Sequence, residues 1–235
     1  MHPNHLLARR LIAQALAPAS ARPTTPTTIT DAAHYMIATQ GQNYAGGLTA
    51  LAIRAGHPEK PLTTNTSHLD TALADYELVR TWSQHDTFVA AEVAIPRQVA
   101  DAAARTPAEK TRELTARYFS TRGPATIEDF CWWSTLPKTV ATRTADALVA
   151  AGELTGFTLD GATYYMGSWQ RDATPQELDH ALSLTYHLPA FDEYFIAYKN
   201  RTHLFAPGVD PHTVMTKNGI GWPFTVEGGL ITGRA

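Results

Sequence analysis

Ten histidines, one cysteine and 22 acidic residues are the groups from which most active sites are built, and their spacing here offers little acid–base or metal chemistry. No His-x-x-x-His pair stands at helical spacing beside a carboxylate. His180 and His187 are seven apart, but the Leu182-Ser183-Leu184-Thr185 between them makes no binding box. A lone Cys131 excludes an intrachain disulfide and a Cys-based metal site. No metal and no cofactor are expected. There is no Gly-x-Ser-x-Gly elbow, and Gly219, Gly221 and Gly228-Gly229 fit turns better than a phosphate loop. Asp192-Glu193 reads as a carboxylate pair on adjacent strand positions. Such side chains point to opposite faces, so structural hydrogen bonding is the expected role. Gln40 and Gln42 are neutral amides beside a short helix; on spacing alone they read as caps or solvated residues. Lys138, Thr139, Thr142 and Arg143 repeat at intervals of four and share one helix face, able to meet phosphates or only water. Arg122, just before a turn, could reach a phosphate. The adjacent Trp132-Trp133 could stack on a base, although core packing is the commoner use.

The elements that must position these groups follow from periodicity and punctuation. Leu6 to Ala17 is expected to be helical, with Leu7, Leu11 and Leu16 near one face and Pro18 as the stop. Ala21 to Thr28 is a Pro/Thr-rich loop. Thr30 can cap a short helix from Asp31 to about Thr39. Tyr44 to Ala55 and Ser67 to Tyr76 are further helices, the former interrupted by Gly46-Gly47, which weakens it or marks a close helix approach. Leu78 to Trp82 and Thr87 to Ala90 read as strands. Pro107 opens a helix to about Ser120. Thr126 caps Ile127 to Ser134, with Asp129 as the third-position acid. Pro137 opens a helix to Ala151, ended by Gly152. Leu154 to Leu159 and Thr163 to Met166 make a hairpin around Asp160-Gly161, a type I′ signal. His187 to Tyr198 and Gly221 to Gly233 read as strands.

Helix, short helix, longer helix and hairpin is the order of a winged helix, in which the third helix enters the major groove. Residues 107–166 carry that order clearly and residues 6–90 loosely. Composition is compatible: 44% hydrophobic and 17% charged residues suit a globular protein. A net charge of −3 argues mildly against nucleic acid. The charge is uneven, however. Between Arg97 and Arg143 there are eight basic and five acidic residues, leaving eleven against seventeen elsewhere. The apolar runs are too short to span a membrane, and no apolar segment follows the basic start, so no signal peptide and a cytoplasmic location are expected.

Several segments together resemble the winged-helix family that includes AlkZ-type DNA glycosylases. Gln40-Gly41-Gln42 is similar to its Gln-x-Gln motif, and Leu78-Val79-Arg80-Thr81-Trp82 to its first-domain strand. Tyr118-Phe119-Ser120-Thr121-Arg122-Gly123-Pro124-Ala125-Thr126 with Asp129-Phe130-Cys131-Trp132-Trp133-Ser134 matches most closely. Leu188-Pro189-Ala190-Phe191-Asp192-Glu193-Tyr194, Tyr198-Lys199, and Asn218-Gly219-Ile220 with Gly228 and Gly233 continue it. Family members carry three winged helices and a C-terminal β-unit. Here the middle one is expected to be missing, with a junction near Ser83 to Asp86, and the last unit to be cut short.

The resemblance implies that Gln40 and Gln42 place and polarise a water for attack at the anomeric carbon of a damaged nucleotide. Neutral amides suffice in principle, because an N-alkylated purine already carries positive charge and leaves without strong acid help. What remains is to orient water and stabilise an oxocarbenium-like transition state. The expected fold class is therefore mainly α with β-hairpins (α+β): tandem winged-helix units and a small, truncated β-rich C-terminal unit. The expected divisions are 1–93, a linker 94–106, 107–170 and 171–235. The expected partner is double-stranded DNA with alkylated bases, contacted by Arg122, Lys138, Thr139, Thr142 and Arg143, which would associate the protein with the nucleoid. Whether it is an enzyme stays open. One reading is an N-glycosylase; the others are a non-catalytic winged-helix module binding DNA or protein, and a degraded member of the family.

Overall fold

The structure is a computed structural model that describes residues 3–40, 43–56, 78–82, 86–90 and 106–235, with side chains described for 5–40, 43–56 and 106–235. The expected helix over 67–76, most of the linker, and Gln42 lie outside the described residues. Eight α-helices and three small antiparallel sheets appear among them, a mixed α+β fold.

The middle of the chain follows its local signals closely. Helix α4 (Pro107–Arg122) starts at a capping box between Thr106 and Glu109, with Pro107 in its first turn. A two-residue strand, β4 (Ala125–Thr126), leads into α5 (Ile127–Ser134), again boxed by Thr126 and Asp129. Helix α6 (Lys138–Ala150) buries Ala141, Ala145 and Leu148, the inward positions of a 3.6-residue repeat. Strands β5 (Leu154–Leu159) and β6 (Ala162–Gly167) then pair in register from Leu154↔Gly167 to Leu159↔Ala162. Their turn is Asp160-Gly161, at φ 49° and 77°, the left-handed pair that a type I′ turn requires. Strand β4 adds to the far side of β6, giving the order β4-β6-β5. Tyr118, Phe119, Phe130 and Tyr165 meet beneath these elements at ring-centroid distances of 5.0 to 5.4 Å. Each such buried aromatic contributes on the order of 1.5–3 kcal/mol.

The N-terminal region departs from the expected boundaries. Helix α1 (Pro3–Ala13) stops before Ala15, which takes φ 57°. Helix α2 (Ile29–Met36) is capped by Thr28 rather than Thr30, because Asp31 is the acid that completes the box. It ends early at Ile37, with φ 62°. Residues expected to continue that helix form strand β1 (Ala38–Gln40) instead. Helix α3 (Tyr44–Arg54) follows, capped by Asn43. Its Gly46 is a close approach: a Cβ there would stand 3.4 Å from the Ala190 carbonyl oxygen. Strands β2 (Leu78–Trp82) and β3 (Asp86–Ala90) pair with each other, and β1 adds to β3. The segments on either side of the expected junction thus belong to one three-stranded sheet.

The C-terminal region is less β-rich than expected. Helix α7 (Pro175–Ser183), boxed by Thr174 and Glu177, precedes β7 (Thr185–Leu188). The expected strand through Tyr198 breaks after Leu188. Phe191 adopts φ 65°, and Asp192 caps a one-turn helix, α8 (Glu193–Ile196). Strands β8 (Phe224–Glu227) and β9 (Leu230–Arg234) complete a sheet ordered β7-β8-β9. One buried cluster joins Leu7, Leu11 and Ile12 of α1 to Phe119, Phe130, Tyr194, Phe224 and Ile231, so α1 packs on the C-terminal half. A second, smaller cluster lies between α2 and α3 around Ile29, Ala33, Leu48 and Leu51.

Candidate functional site

Two regions hold the residues singled out by their chemistry. The first is the outer face of α6. Lys138, Thr139 and Arg143 are exposed and Thr142 is half-buried, while the opposite face supplies core side chains. One turn brings these four together as the spacing requires. Lys138 also pairs with Glu128 on α5. That hydrogen bond and charge raise the Lys138 pKa and lower that of Glu128, so both are charged near neutrality. Both groups are well exposed, so the pair contributes little to stability.

The second region is the corner between β1 and α3, where Gln40 ends the strand. Gln40 is aligned with Thr87 of β3 and is 7% exposed; Thr39 before it is 1% exposed. The expectation of solvated glutamines therefore fails for Gln40, because sheet pairing carries it inward.

Arg122 does not join the α6 face. It is fully buried, and its Nε donates to Glu193 Oε2 at 2.8 Å. Its Nη1 donates to the Met36 carbonyl at 2.9 Å and its Nη2 to the Ala38 carbonyl at 2.5 Å. The guanidinium carbon lies 4.6 Å from the Trp133 ring centroid. With these donors committed and no water access, a phosphate contact is replaced by an internal one: Arg122 holds the two carbonyls that flank Ile37. This fork is a geometry a lysine cannot reproduce.

Asp192 and Glu193 likewise serve arginines, as the cap and first residue of α8 rather than as strand neighbours. Asp192 makes a two-pronged pair with Arg54 of α3, each N–H···O at 2.8 Å. Burial, the largest single influence, lowers the Arg54 pKa, but the charge and hydrogen bonds of Asp192 together with Glu193 and Tyr198 outweigh it and leave it raised. Arg54 also donates to Gln14 Oε1 at 2.8 Å, Gln14 donates to Tyr198 Oη at 3.1 Å, and Tyr198 donates to the Arg122 carbonyl at 2.8 Å. A polar circuit thus runs Asp192–Arg54–Gln14–Tyr198–Arg122–Glu193. It grips β1 before the Gln40-Gly41-Gln42 segment through Arg122 and α3 after it through Arg54. Gln14, Arg54 and Tyr198 carry no spacing signal; only an arginine in the apolar run Leu51-Ala52-Ile53-Arg54 hints at a buried partner.

Of the Trp132-Trp133 pair, Trp133 packs inward, 5.1 Å from Tyr118 between ring centroids, and Trp132 is 46% exposed. Among the described residues, no group of three or more His, Cys, Asp or Glu side chains could hold a metal ion, and no helix is long and apolar enough to cross a membrane.

This combination, small antiparallel sheets around helices with a polar corner and an exposed basic helix face, has relatives. A family model for AlkZ-like DNA glycosylases matches residues 90–235. The chain belongs to the AlkZ-like DNA glycosylase family. The structure of Streptomyces sahachiroi DNA glycosylase AlkZ is similar at a TM-score of 0.69 and 15% identity, covering 98% of this chain and 86% of that one; at such identity the likeness is one of fold. No curated protein matches the sequence.

Proposed function

We propose that this chain binds duplex DNA through winged-helix units and acts on the N-glycosidic bond of alkylated bases, with Gln40 and Gln42 positioning the attacking water. The observation that carries the binding half is the arrangement of residues 107–167. Three helices and a hairpin, with β4 as third strand, present Lys138, Thr139, Thr142 and Arg143 outward on the third helix. That is the docking geometry in which a third helix reads or rides the major groove. On the same reading residues 1–93, apart from α1, which packs on the C-terminal half, make the companion unit and 171–235 the C-terminal unit, and the middle winged helix of the family is absent. Action on DNA puts the protein in the cytoplasm, at the nucleoid.

The catalytic half rests on the Arg122 contacts that hold β1, at whose end Gln40 stands, and on the Arg54–Asp192 pair that holds α3 after it. Preorganised groups of this kind act without reorganising during reaction. One observation favours the alternative of a non-catalytic DNA- or protein-binding module. Gln40 is 7% exposed, and a water-positioning amide has to reach a water.

Base release from duplex DNA containing an N-alkylated purine, measured beside duplex binding, tests both halves. Binding with excision supports the glycosylase, and binding without excision supports the module. A Lys138→Ala, Arg143→Ala double variant should weaken binding and flatten its salt dependence, since each phosphate no longer neutralised lowers the slope by about one. An unchanged slope would move the DNA surface off α6.

A further inference from the structure

We propose that the DNA-contacting surface continues from α6 onto a patch made by Trp132, Lys199 and Arg201, so that the C-terminal region grips the phosphate backbone and Trp132 packs against a sugar or base. The proposal rests on the reading of α6 as a DNA-binding helix and adds a second wall to it.

The patch is built by contacts between distant parts of the chain. The Lys199 amide donates to Asp129 Oδ1 at 2.9 Å, and Asp129 is buried and already boxed with Thr126 at the start of α5. The segment after Tyr198 is thereby fixed beside α5, with the Lys199 side chain and Asn200 exposed. Arg201 is pinned by Nε donation to the Tyr198 carbonyl at 2.8 Å. Its guanidinium carbon lies 4.8 Å from the Phe195 ring centroid and 5.7 Å from that of Trp132. Trp132 is the most exposed aromatic among the described residues, and it stands beside a fixed cation. Lys138, at the start of α6, reaches the same ground through Glu128, which also lies within electrostatic range of Lys199.

Among the described residues, the charges that these contacts bring together are Lys138, Lys199, Arg201 and Glu128, with Asp129 buried beneath. Three cations against one exposed carboxylate contrast with a chain whose net charge is −3. An exposed indole beside a pinned arginine and two exposed lysines matches a polyanion that also offers flat apolar surfaces. Phosphates take the charges, and sugars or bases take the ring. Continuity with α6 favours nucleic acid over an acidic peptide, because one backbone crossing α6 would run on past Lys138 to Lys199.

The test compares full-length Lys199→Gln and Trp132→Ala with the parent in duplex-binding titrations between about 50 and 200 mM salt. Lys217→Gln, at an exposed position outside the patch, serves as control, and circular dichroism melts verify folding. Lys199→Gln should lower the salt slope by about one. Trp132→Ala should weaken binding roughly 10-fold at unchanged slope, because the indole carries no charge. Parent-like behaviour of either variant overturns the patch. If Lys138→Ala, Arg143→Ala still weakens binding, that failure leaves the α6 reading intact. A parent that binds no duplex, yet takes up an acidic peptide at the patch, overturns both.

Discussion

Arg122 Nε meets Glu193 Oε2 at 2.8 Å across 71 residues of sequence, and the same guanidinium holds the Met36 and Ala38 carbonyls on either side of Ile37. Ile37 sits at φ 62°, a conformation that a β-branched residue adopts only when its surroundings impose it. The ion pair thus converts the end of α2 into the start of β1. Removing one partner of a buried pair leaves the other charge unpaired, which typically costs about 3–5 kcal/mol. Glu193→Gln should lower the unfolding free energy by that order, read from denaturant midpoints. Amide exchange at residues 38–40 should also rise well above that at α6. A variant as stable as the parent would mean that β1 is held by sheet pairing alone.

The corner after α4 gives a steric prediction. A Cβ on Gly123 would stand 2.8 Å from Met166 Cα and 2.9 Å from the Tyr165 carbonyl oxygen, both backbone atoms of β6 that cannot swing away. Gly123→Ala should therefore destabilise by about 1–3 kcal/mol, the usual cost of overpacking. Gly152→Ala is a different case. Gly152 takes φ 76° with nothing within 4 Å of a new Cβ, so its strain is conformational only. A Gly123→Ala protein that melts with the parent would refute the close approach.

Much of the middle of the chain was legible because its signals are local. Thr126 with Asp129, Pro107 at a helix start, and Asp160-Gly161 each act within four residues. Thr174-Pro175 with Glu177 carries the same signal and opens α7, a helix not among those expected from periodicity. Long-range contacts were not legible. Nothing near Arg122 announces Glu193, so an arginine expected at a phosphate turns out to be internal. Gln40 reads as a helix end because its pairing with Thr87 lies 47 positions away. Asp192 and Glu193 read as strand residues because the turn at Phe191 depends on the arginines that the two carboxylates meet.

His203 supplies a pH prediction. The residue is exposed, but its Nε2 end contacts the buried Arg10 guanidinium. Desolvation, then the Arg10 charge, lowers its pKa from 6.5 to about 4, with Asp129 opposing. The folded state therefore binds fewer protons than the unfolded chain between those values. Stability from this group is complete above pH 6.5 and falls as pH drops toward 4. The melting temperature of the parent should decline across that window more steeply than that of His203→Gln, which cannot titrate. Parallel declines would show that His203 is protonated without penalty.

The chemistry makes the sharpest prediction. If the chain excises alkylated bases, Gln40→Ala or Gln42→Ala should slow single-turnover release while duplex affinity stays near that of the parent. A water-positioning amide acts in the transition state and adds little to ground-state binding. Loss of one such group commonly lowers the rate on the order of 10²–10³-fold. Gln40 is 7% exposed, so Gln40→Leu, which preserves volume, separates lost chemistry from a hole in the sheet. Slow release in both Gln40 variants with parental melting assigns the role to the amide. Slow release only in Gln40→Ala assigns it to packing. A glycosylase must also extrude the base and hold it in a walled pocket, and on the proposed reading of a shortened chain the middle winged helix adds nothing to that wall. The parent is accordingly expected to be a slow enzyme at best, and its rate is measured first. Robust excision that persists in the Gln40→Ala, Gln42→Ala double variant would make the segment a structural remnant and move the chemistry elsewhere.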